Sequence, residues 1–354
     1  MTATDDKIAP TGVLFENETV DSEEAMKSEK KEENDKFVRQ ILWINVAHFT
    51  VLHIFAFYGL YLVFTSAKLA TTFFAYILFV LGTFGISAGV HRLWSHKAYK
   101  AKFPLRVILM IFNSLAYQNS IWVWARDHRV HHKYSETDAD PCNAKRGFFF
   151  SHVGWLMSKK HPDVTNIGKG VDLKDLEADP VVAFQKKYYF YLVALICIIL
   201  PAVIPVMFWN ESWTNAIFIP VFLRYTIGLN ATWLVNSAAH MYGGRPYDKF
   251  INPSENFAVI IGTLGEGWHN FHHTFPWDYK TSELPHYVFN WTTGFIHLFA
   301  KIGWAYDLKS VSEQVVKARC KRTGDGSHEV WGWGDKDQTA EEREAAIIEH
   351  AKQN

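Results

Sequence analysis

Residues 69–96 read LATTFFAYILFVLGTFGISAGVHRLWSH: an uncharged apolar run, residues 69–90, leads directly into the pair His91 and His96. A helix needs about 20 apolar residues to cross the ~30 Å of hydrocarbon in a bilayer, and this run is long enough. In a straight α-helix, however, two residues five positions apart point about 140° away from each other. We therefore expect a membrane span that bends or leaves the α-helix where the histidines begin.

Three further apolar runs resemble this one. Residues 41–64 and 188–209 contain no Asp, Glu, Lys or Arg, and residues 213–239 contain one charged side chain, Arg224. Four such runs are rare in the cores of soluble proteins, and they predict four transmembrane helices. A weaker run, residues 105–124, carries one arginine and three amides. It favours a helix lying at the membrane interface or under the soluble domain rather than a fifth span.

The links between the runs predict which side of the membrane each segment faces. Residues 65–68 and 210–212 are short enough to require tight hairpins and carry a single lysine, whereas residues 91–187 carry 16 lysines and arginines. By the positive-inside rule, both termini and the segment 91–187 lie in the cytosol. The first 36 residues hold 11 acidic residues and 5 lysines without apolar periodicity, which is typical of a disordered tail.

Composition excludes several classes of protein. Lys+Arg and Asp+Glu both number 36, so the formal net charge is zero and no nucleic-acid partner is expected. The three cysteines have no C-x-x-C spacing, which argues against a disulfide scaffold or a cysteine-rich zinc site. Three parts are predicted along the chain: a tail, residues 1–36, a main domain, residues 37–335, and a charged C-terminal tail, residues 336–354. Within the main domain, residues 91–187 and 240–335 are predicted to form a cytosolic cap.

The histidines are concentrated in a few places. Eight of the 17 fall in three clusters, the pair above and two H-x-x-H-H motifs at residues 128–132 and 269–273, and His240 ends the fourth run. In a helix, H-x-x-H-H places its imidazoles on one face. An even number of predicted crossings separates the clusters, so all emerge on one side of the membrane. This pattern predicts a site for two metal ions such as Zn, Fe, Cu or Ni, and spacing alone does not select iron.

Other kinds of metal protein fit this pattern less well. The zinc-protease motif H-E-x-x-H is absent, and only one Glu-x-x-His of the carboxylate di-iron pattern stands near the clusters, from Glu266 to His269. A membrane metal transporter or metal-binding protein is a remote alternative, because transporters place their ligands within the spans. Nearby carboxylates are expected to orient the histidine rings. They are Asp127, Glu136, Asp138, Asp140 and Glu266.

Five longer motifs carry a family resemblance. HRLWSH, WARDHRVHHKYSETDADP, RGFFFSHVGW, NSAAHMYG and EGWHNFHHTFPWDY stand in this order between residues 91 and 279. Together they resemble the membrane fatty acyl-CoA desaturases, of the stearoyl-CoA (Δ9) type and close to the insect members. The resemblance implies an all-α integral membrane fold in the endoplasmic reticulum: four transmembrane helices capped by a cytosolic helical domain that carries a histidine-rich dimetal site.

The resemblance also implies the ligands and the chemistry. One iron ion would be bound by His91, His96, His128, His132 and His272. The other would be bound by His131, His240, His269 and His273, with Asn236 reaching it through water. With O2 and two electrons from cytochrome b5 and cytochrome b5 reductase, such a site removes one hydrogen from each of two neighbouring carbons and leaves a cis double bond.

The implied substrate is a saturated C16 or C18 fatty acyl-CoA in the lipid bilayer, desaturated at Δ9. A Δ11 desaturase and a fatty acyl hydroxylase are alternatives that use the same chemistry. The CoA end would be bound by Asn45, Asn119, Arg126, Asp127, Lys159 and Lys160. The bend of the acyl tunnel would be lined by Gln118, Trp124, Thr232 and Trp233. Thr83, on the second run, is expected to shorten the tunnel.

Overall fold

The computed structural model describes residues 39–283, 288–328 and 340–345. The predicted N-terminal tail and most of the C-terminal tail lie outside the described residues, so the domain boundaries stay predictions. The helices are α1 Trp43–Thr65, α2 Leu69–Ser95, α3 Phe103–Ala116, α4 Ile121–Lys133, α5 Pro162–Asn166, α6 Lys174–Ala178, α7 Pro180–Trp209, α8 Trp213–Met241, α9 Phe257–Gly262, α10 His269–Thr274, α11 Trp291–Lys301, α12 Glu313–Thr323 and α13 Ala340–Glu344.

Short elements connect these helices. Ala144–Arg146 and Ile167–Gly170 form 3-10 turns, and Phe150–Gly154 forms one turn of π-helix. Two-residue strands, β1 Lys100–Ala101 and β2 Ala305–Tyr306, pair in antiparallel fashion. The largest cluster of buried apolar side chains lies where α2, α3, α4, α7 and α11 meet, and it includes Leu105, Leu109, Ile121, Val182 and Ile296.

Among the described residues, four helices, α1, α2, α7 and α8, are long and apolar enough to cross a membrane. They match the four predicted runs, and the largest difference is at the start of α7. This helix begins at Pro180 rather than at residue 188, and Asp179 caps it by accepting the N–H of Val181 at 2.9 Å. Tyr188, with φ −106° and ψ 18°, is non-helical and bends α7 where the apolar run begins.

The weaker run, residues 105–124, divides into two helices. α3 has 14 residues, about 21 Å of helix, which is too short to cross the hydrocarbon. It ends at Tyr117, whose φ of +51° is left-handed, and α4 begins after Ser120. α3 packs directly on α2: a Cβ added to Gly85 would lie 2.2 Å from the backbone nitrogen of Asn113.

The two hairpin links meet at the end of the bundle away from the histidine clusters. The ammonium of Lys68 donates to the carbonyl of Trp209 at 2.7 Å, and its backbone N–H donates to the carboxylate of Glu211 at 3.0 Å. Residues 65–68 and 210–212 therefore lie on one side of the bundle. The C-terminal ends of α2 and α8, which carry histidines, lie together on the other.

Candidate metal centre

The second part of α2, Gly85–Ser95, is wound as a π-helix. Its hydrogen bonds reach five residues back, and the N–H of His96 donates to the carbonyl of His91 at 3.1 Å. Residues five apart therefore share a face, and the ring centroids of His91 and His96 are 4.9 Å apart. The predicted departure from the α-helix is confirmed: the chain forms a π-helix here and does not bend.

Arg129 fixes α4 against the end of α2. Its buried guanidinium donates to the carbonyl of Trp94 at 2.7 Å and to the carboxylate of Asp175 at 2.6 Å. As a result His128 faces His96, with 2.8 Å between their Nε2 atoms. The first H-x-x-H-H motif is thus held against the histidine pair of α2 by an ion pair within the cap.

Five imidazoles meet at the end of α2 and form what we call the first histidine group. Their Nε2 atoms face inward, with 2.9 Å between those of His91 and His272 and 3.0 Å between those of His272 and His132. One ligand atom from each ring lies within 4.8 Å of all the others. The members are His91, His96, His128, His132 and His272.

Four further imidazoles form the second histidine group, in which the ligand atoms also lie within 4.8 Å of one another. Its members are His131, His240, His269 and His273. The Nε2 of His269 is 2.9 Å from that of His240 and 3.1 Å from that of His273. The two groups adjoin where the rings of His132 and His273 stack, with centroids 4.1 Å apart.

These nitrogens fit metal ions. Two facing Nε2 atoms can share one proton, but several that face one centre leave lone pairs pointing at each other unless a cation lies between them. Burial lowers the pKa of His96, His132 and His272 well below 6.5, which keeps their rings in the neutral form that binds metals. The Nδ1 atoms of these three rings are buried without a hydrogen-bond partner in the described part of the chain.

Carboxylates orient three of the nine rings. Each accepts the Nδ1 proton of one histidine, which directs the Nε2 lone pair inward. These contacts are Glu266 with His91 at 3.1 Å, Asp140 with His131 at 2.9 Å and Glu136 with His240 at 3.2 Å. Asp127 pairs with Lys160 instead, and Asp138 makes no such contact among the described residues. Three of the five expected carboxylates therefore contact a ring.

A cavity enclosing about 770 Å³ of empty space, part of it open, borders both histidine groups and runs between α2 and α8. Its lining extends along α2 from Phe79 to His91 and along α8 from Arg224 to Asn236. Twelve residues of helix measure about 18 Å. The histidines stand at one end of this cavity, and α3 contributes to the other end through Ala116.

Residues 68–292 match the family model described as fatty acid desaturase. The chain belongs to the fatty acid desaturase family. It is 59% identical over 350 residues to the acyl-CoA Delta-9 desaturase of Acheta domesticus, covering 97% of this chain and 98% of that one. The acyl-CoA Delta12-desaturase of the same species is 57% identical with the same coverage. The stearoyl-CoA desaturase of Mesocricetus auratus is 54% identical over 288 residues, 81% of each chain.

These matches confirm the resemblance and the all-α integral membrane fold of this desaturase. Three of the four residues predicted for the tunnel bend, Gln118, Trp124 and Thr232, line the cavity, as does Asn236. Trp233 does not, because it lies one residue, or about 100°, further round α8. It faces α1 and lines a second cavity there.

The residues predicted for the CoA end are only partly brought together. Asp127 accepts from Lys160 at 2.5 Å and from Arg126 at 2.7 Å, so these three side chains form one linked group on the cap. The other three residues are Asn45, whose amide donates to the carbonyl of Leu156 at 2.7 Å, and the exposed Asn119 and Lys159.

The desaturase also contains a site residue that the sequence analysis missed. Arg92, which is 0% exposed, donates to Glu266 at 2.7 Å and to the carbonyl of Tyr279 at 2.9 Å. Burial alone would raise the pKa of Glu266, but Arg92 and His91 hold it well below its usual range. One feature of the sequence could have indicated this role. Arg92 stands at the end of an apolar run and directly beside a clustered histidine.

Proposed function

We propose that this protein is an acyl-CoA desaturase that inserts a cis double bond, at Δ9, into saturated C16 and C18 fatty acyl-CoA. The single observation that carries this proposal is the position of the two histidine groups at one end of a cavity between membrane-spanning helices. An acyl chain needs a dry, narrow corridor, and the reaction needs an oxidising centre beside it.

The first histidine group would hold one iron ion and the second would hold another, with Asn236 reaching the second through water. When bound, the two ions supply the redox chemistry that reduces O2 and removes two hydrogen atoms from neighbouring methylenes. The chain supplies the histidine ligands, and Glu266, Asp140 and Glu136 orient three of their rings. It also supplies a buried site, since eight of the nine histidines are buried.

The two ends of the substrate need different surroundings. At the cap, Arg126 and Lys160 would bind the CoA phosphates, because guanidinium and ammonium groups make charge-assisted hydrogen bonds to phosphate. The other residues proposed at this end are Asn45, Asn119, Asp127 and Lys159. In the cavity, Gln118 donates to the carbonyl of Gly228 at 3.3 Å, and Trp124 stacks on His128 at 4.7 Å.

We also propose that cytochrome b5 and its reductase deliver the electrons, and that the protein lies in the endoplasmic reticulum membrane with both termini cytosolic. Acceptor sites for N-glycosylation, inserted with polar spacers into the links 65–68 and 210–212, test the topology; residues 210–212 already read Asn-Glu-Ser, which is such an acceptor. Glycosylation of these sites, but not of a site placed before α1, is expected. The reverse pattern would contradict the proposed orientation.

The activity is tested by supplying purified protein with saturated acyl-CoA, cytochrome b5, its reductase, NADH and O2, and then locating the double bond by mass spectrometry. A Δ9 product is expected from the wild type. His272→Ala should abolish the product because it removes a ring from the first histidine group. His48→Ala, which changes an exposed ring on α1, is the matched control. Wild-type protein that carries both metals and forms no unsaturated product would refute the proposal.

The same product analysis separates the alternatives. Δ11 or Δ12 products would place the double bond elsewhere, and a hydroxylated product would replace desaturation by oxygen insertion. A metal transporter is disfavoured, because the histidine groups lie at the ends of α2 and α8 and in the cap, not in the middle of the spans. Metal uptake into vesicles that contain the protein would support that alternative.

A further inference from the structure

Arg224 is a charged side chain within the span α8, and it is only 4% exposed. Arginine within a membrane span is unfavourable and usually marks a functional position. In the part of the chain that the structure describes, the hydrogen-bond partners of this guanidinium are neutral groups. The positive charge of Arg224 is therefore compensated by the dipoles of backbone carbonyls and not by an ion pair.

The guanidinium joins three helices. It donates to the carbonyl of Leu115 in α3 at 2.8 Å, to that of Cys197 in α7 at 3.3 Å and to that of Pro220 in α8 at 2.9 Å. Leu115 lies in the last turn of α3, where carbonyls lack partners within the helix and the helix dipole favours a cation. Arg224 thus binds the end of α3 to both spans of the second hairpin.

This junction lies at the far end of the cavity. Arg224 lines the cavity about 18 Å along α8 from Asn236, and Tyr225 and Ala116 line the same end. The hydroxyl of Tyr225 donates to the carbonyl of Tyr117 at 3.1 Å, and the two rings stack with centroids 5.2 Å apart. The end wall is therefore built where α3 terminates, and Arg224 is the residue that links it to α7 and α8.

We propose that Arg224 determines the length of the acyl chain that the protein accepts by fixing where this cavity ends. The inference rests on the proposed function, since it assumes that the cavity receives the acyl chain. With the CoA end bound at the cap, an acyl chain longer than the distance to this wall does not fit in the cavity. Without the guanidinium, the end of α3 is no longer tied to α7, and the cavity becomes longer.

The experiment compares Arg224→Met and Arg224→Lys with wild type and with Ile227→Ala, a control on the lipid-exposed side of α8. Each protein receives an equimolar mixture of C14, C16, C18 and C20 saturated acyl-CoA, and its products are measured together with its iron content. Arg224→Met is expected to raise the ratio of longer to shorter products by about tenfold, the scale of a methylene in an apolar pocket. Arg224→Lys should give an intermediate ratio, and Ile227→Ala should leave it unchanged.

The outcomes separate this inference from the proposed function. Wild-type protein without unsaturated products would refute the proposed function. Active wild type with an unchanged product ratio in iron-loaded Arg224→Met would overturn the role of Arg224 alone. If the Arg224→Met protein does not accumulate, the product ratio of Arg224→Lys is compared with that of the wild type instead. A raised ratio then supports the inference, and an unchanged ratio overturns it. If neither variant accumulates, the inference also fails, because Arg224 would then serve folding and not specificity.

Discussion

Glu266 and His91 lie 3.1 Å apart, carboxylate Oε2 to ring Nδ1, while the second oxygen of Glu266 accepts from Arg92 at 2.7 Å. One carboxylate thereby connects the π-helical end of α2 to the segment that precedes α10. It also determines that His91 presents Nε2 to the centre of the first histidine group, where the Nε2 of His272 is 2.9 Å away. This arrangement couples ligand orientation to the packing of two segments that are distant in sequence.

Glu266→Gln is expected to lower both iron content and turnover, by about 10–100-fold. The carboxylate of Glu266 accepts from both His91 and Arg92, one with each oxygen. Glutamine keeps a single acceptor oxygen, so its NH2 group would face the N–H donor of either His91 or Arg92. Iron per chain is measured by elemental analysis, and double-bond formation by product analysis. Asp138→Asn is the control, since Asp138 contacts none of the rings among the described residues. Full iron content in Glu266→Gln would contradict the orienting role.

Gly85→Ala is expected to destabilise the fold by about 1–3 kcal/mol, the usual cost of overpacking. Its Cβ would lie 2.2 Å from the backbone nitrogen of Asn113, so α2 and α3 would have to separate where the π-helix begins. The thermal unfolding midpoint in detergent measures the effect. Gly262→Ala is the matched helical control, because an added Cβ there meets nothing within 4 Å. Equal unfolding midpoints for Gly85→Ala and Gly262→Ala would contradict the close packing of α2 against α3.

Thr83→Ala is expected to raise the ratio of C18 to C16 product, by up to about tenfold. Thr83 lines the cavity on α2, and its hydroxyl donates to the carbonyl of Phe79 at 2.9 Å. Alanine is smaller than threonine, so the substitution leaves more room for the acyl chain. Thr50→Ala on α1 is the control, because Thr50 donates in the same way to the carbonyl of Val46 at 2.8 Å. A product ratio that does not change would exclude Thr83 as a determinant of chain length.

Glu211 predicts a pH dependence of stability. Burial alone would raise its pKa, but hydrogen bonds from Thr71 and Asn215 hold the pKa below the ordinary 4.5. A depressed folded-state pKa stabilises the protein above the unfolded-state pKa, and this stabilisation is lost as the pH falls through the folded-state value. Wild-type unfolding midpoints should therefore decline below about pH 4.5.

Glu211→Gln is the matched variant for this experiment, because it removes the titrating group while keeping the side-chain shape. Its midpoint should be lower near neutral pH, by the equivalent of about 1–3 kcal/mol, and less sensitive to acid. Iron content should stay at the wild-type level, since the hairpin links lie at the opposite end of the bundle from the histidine groups. Identical acid sensitivity in both proteins would show that other groups control the decline.

The four spans could be predicted because length and the absence of charge are local properties of the chain. The departure of α2 from the α-helix was likewise predictable from the spacing of His91 and His96, although the π-helical form was not. Arg92 was missed because its importance comes from Glu266, which lies 174 residues later. Trp233 was assigned to the tunnel by resemblance, and only the rotation of α8 shows that it faces α1.

Four membrane-spanning helices, the emergence of the histidine clusters on one common side of the bundle and the family were all predictable from the chain alone, because each follows from length, charge or motif within short segments. The family resemblance implied how the histidines divide, and the tertiary structure supplies the geometric reason. On α4, His128 and His132 lie about 40° apart and join the first histidine group, whereas His131, about 100° from His132, turns to the second. The tertiary structure decided which carboxylates contact a ring and where the cavity ends, because these depend on distances between segments that only folding brings together.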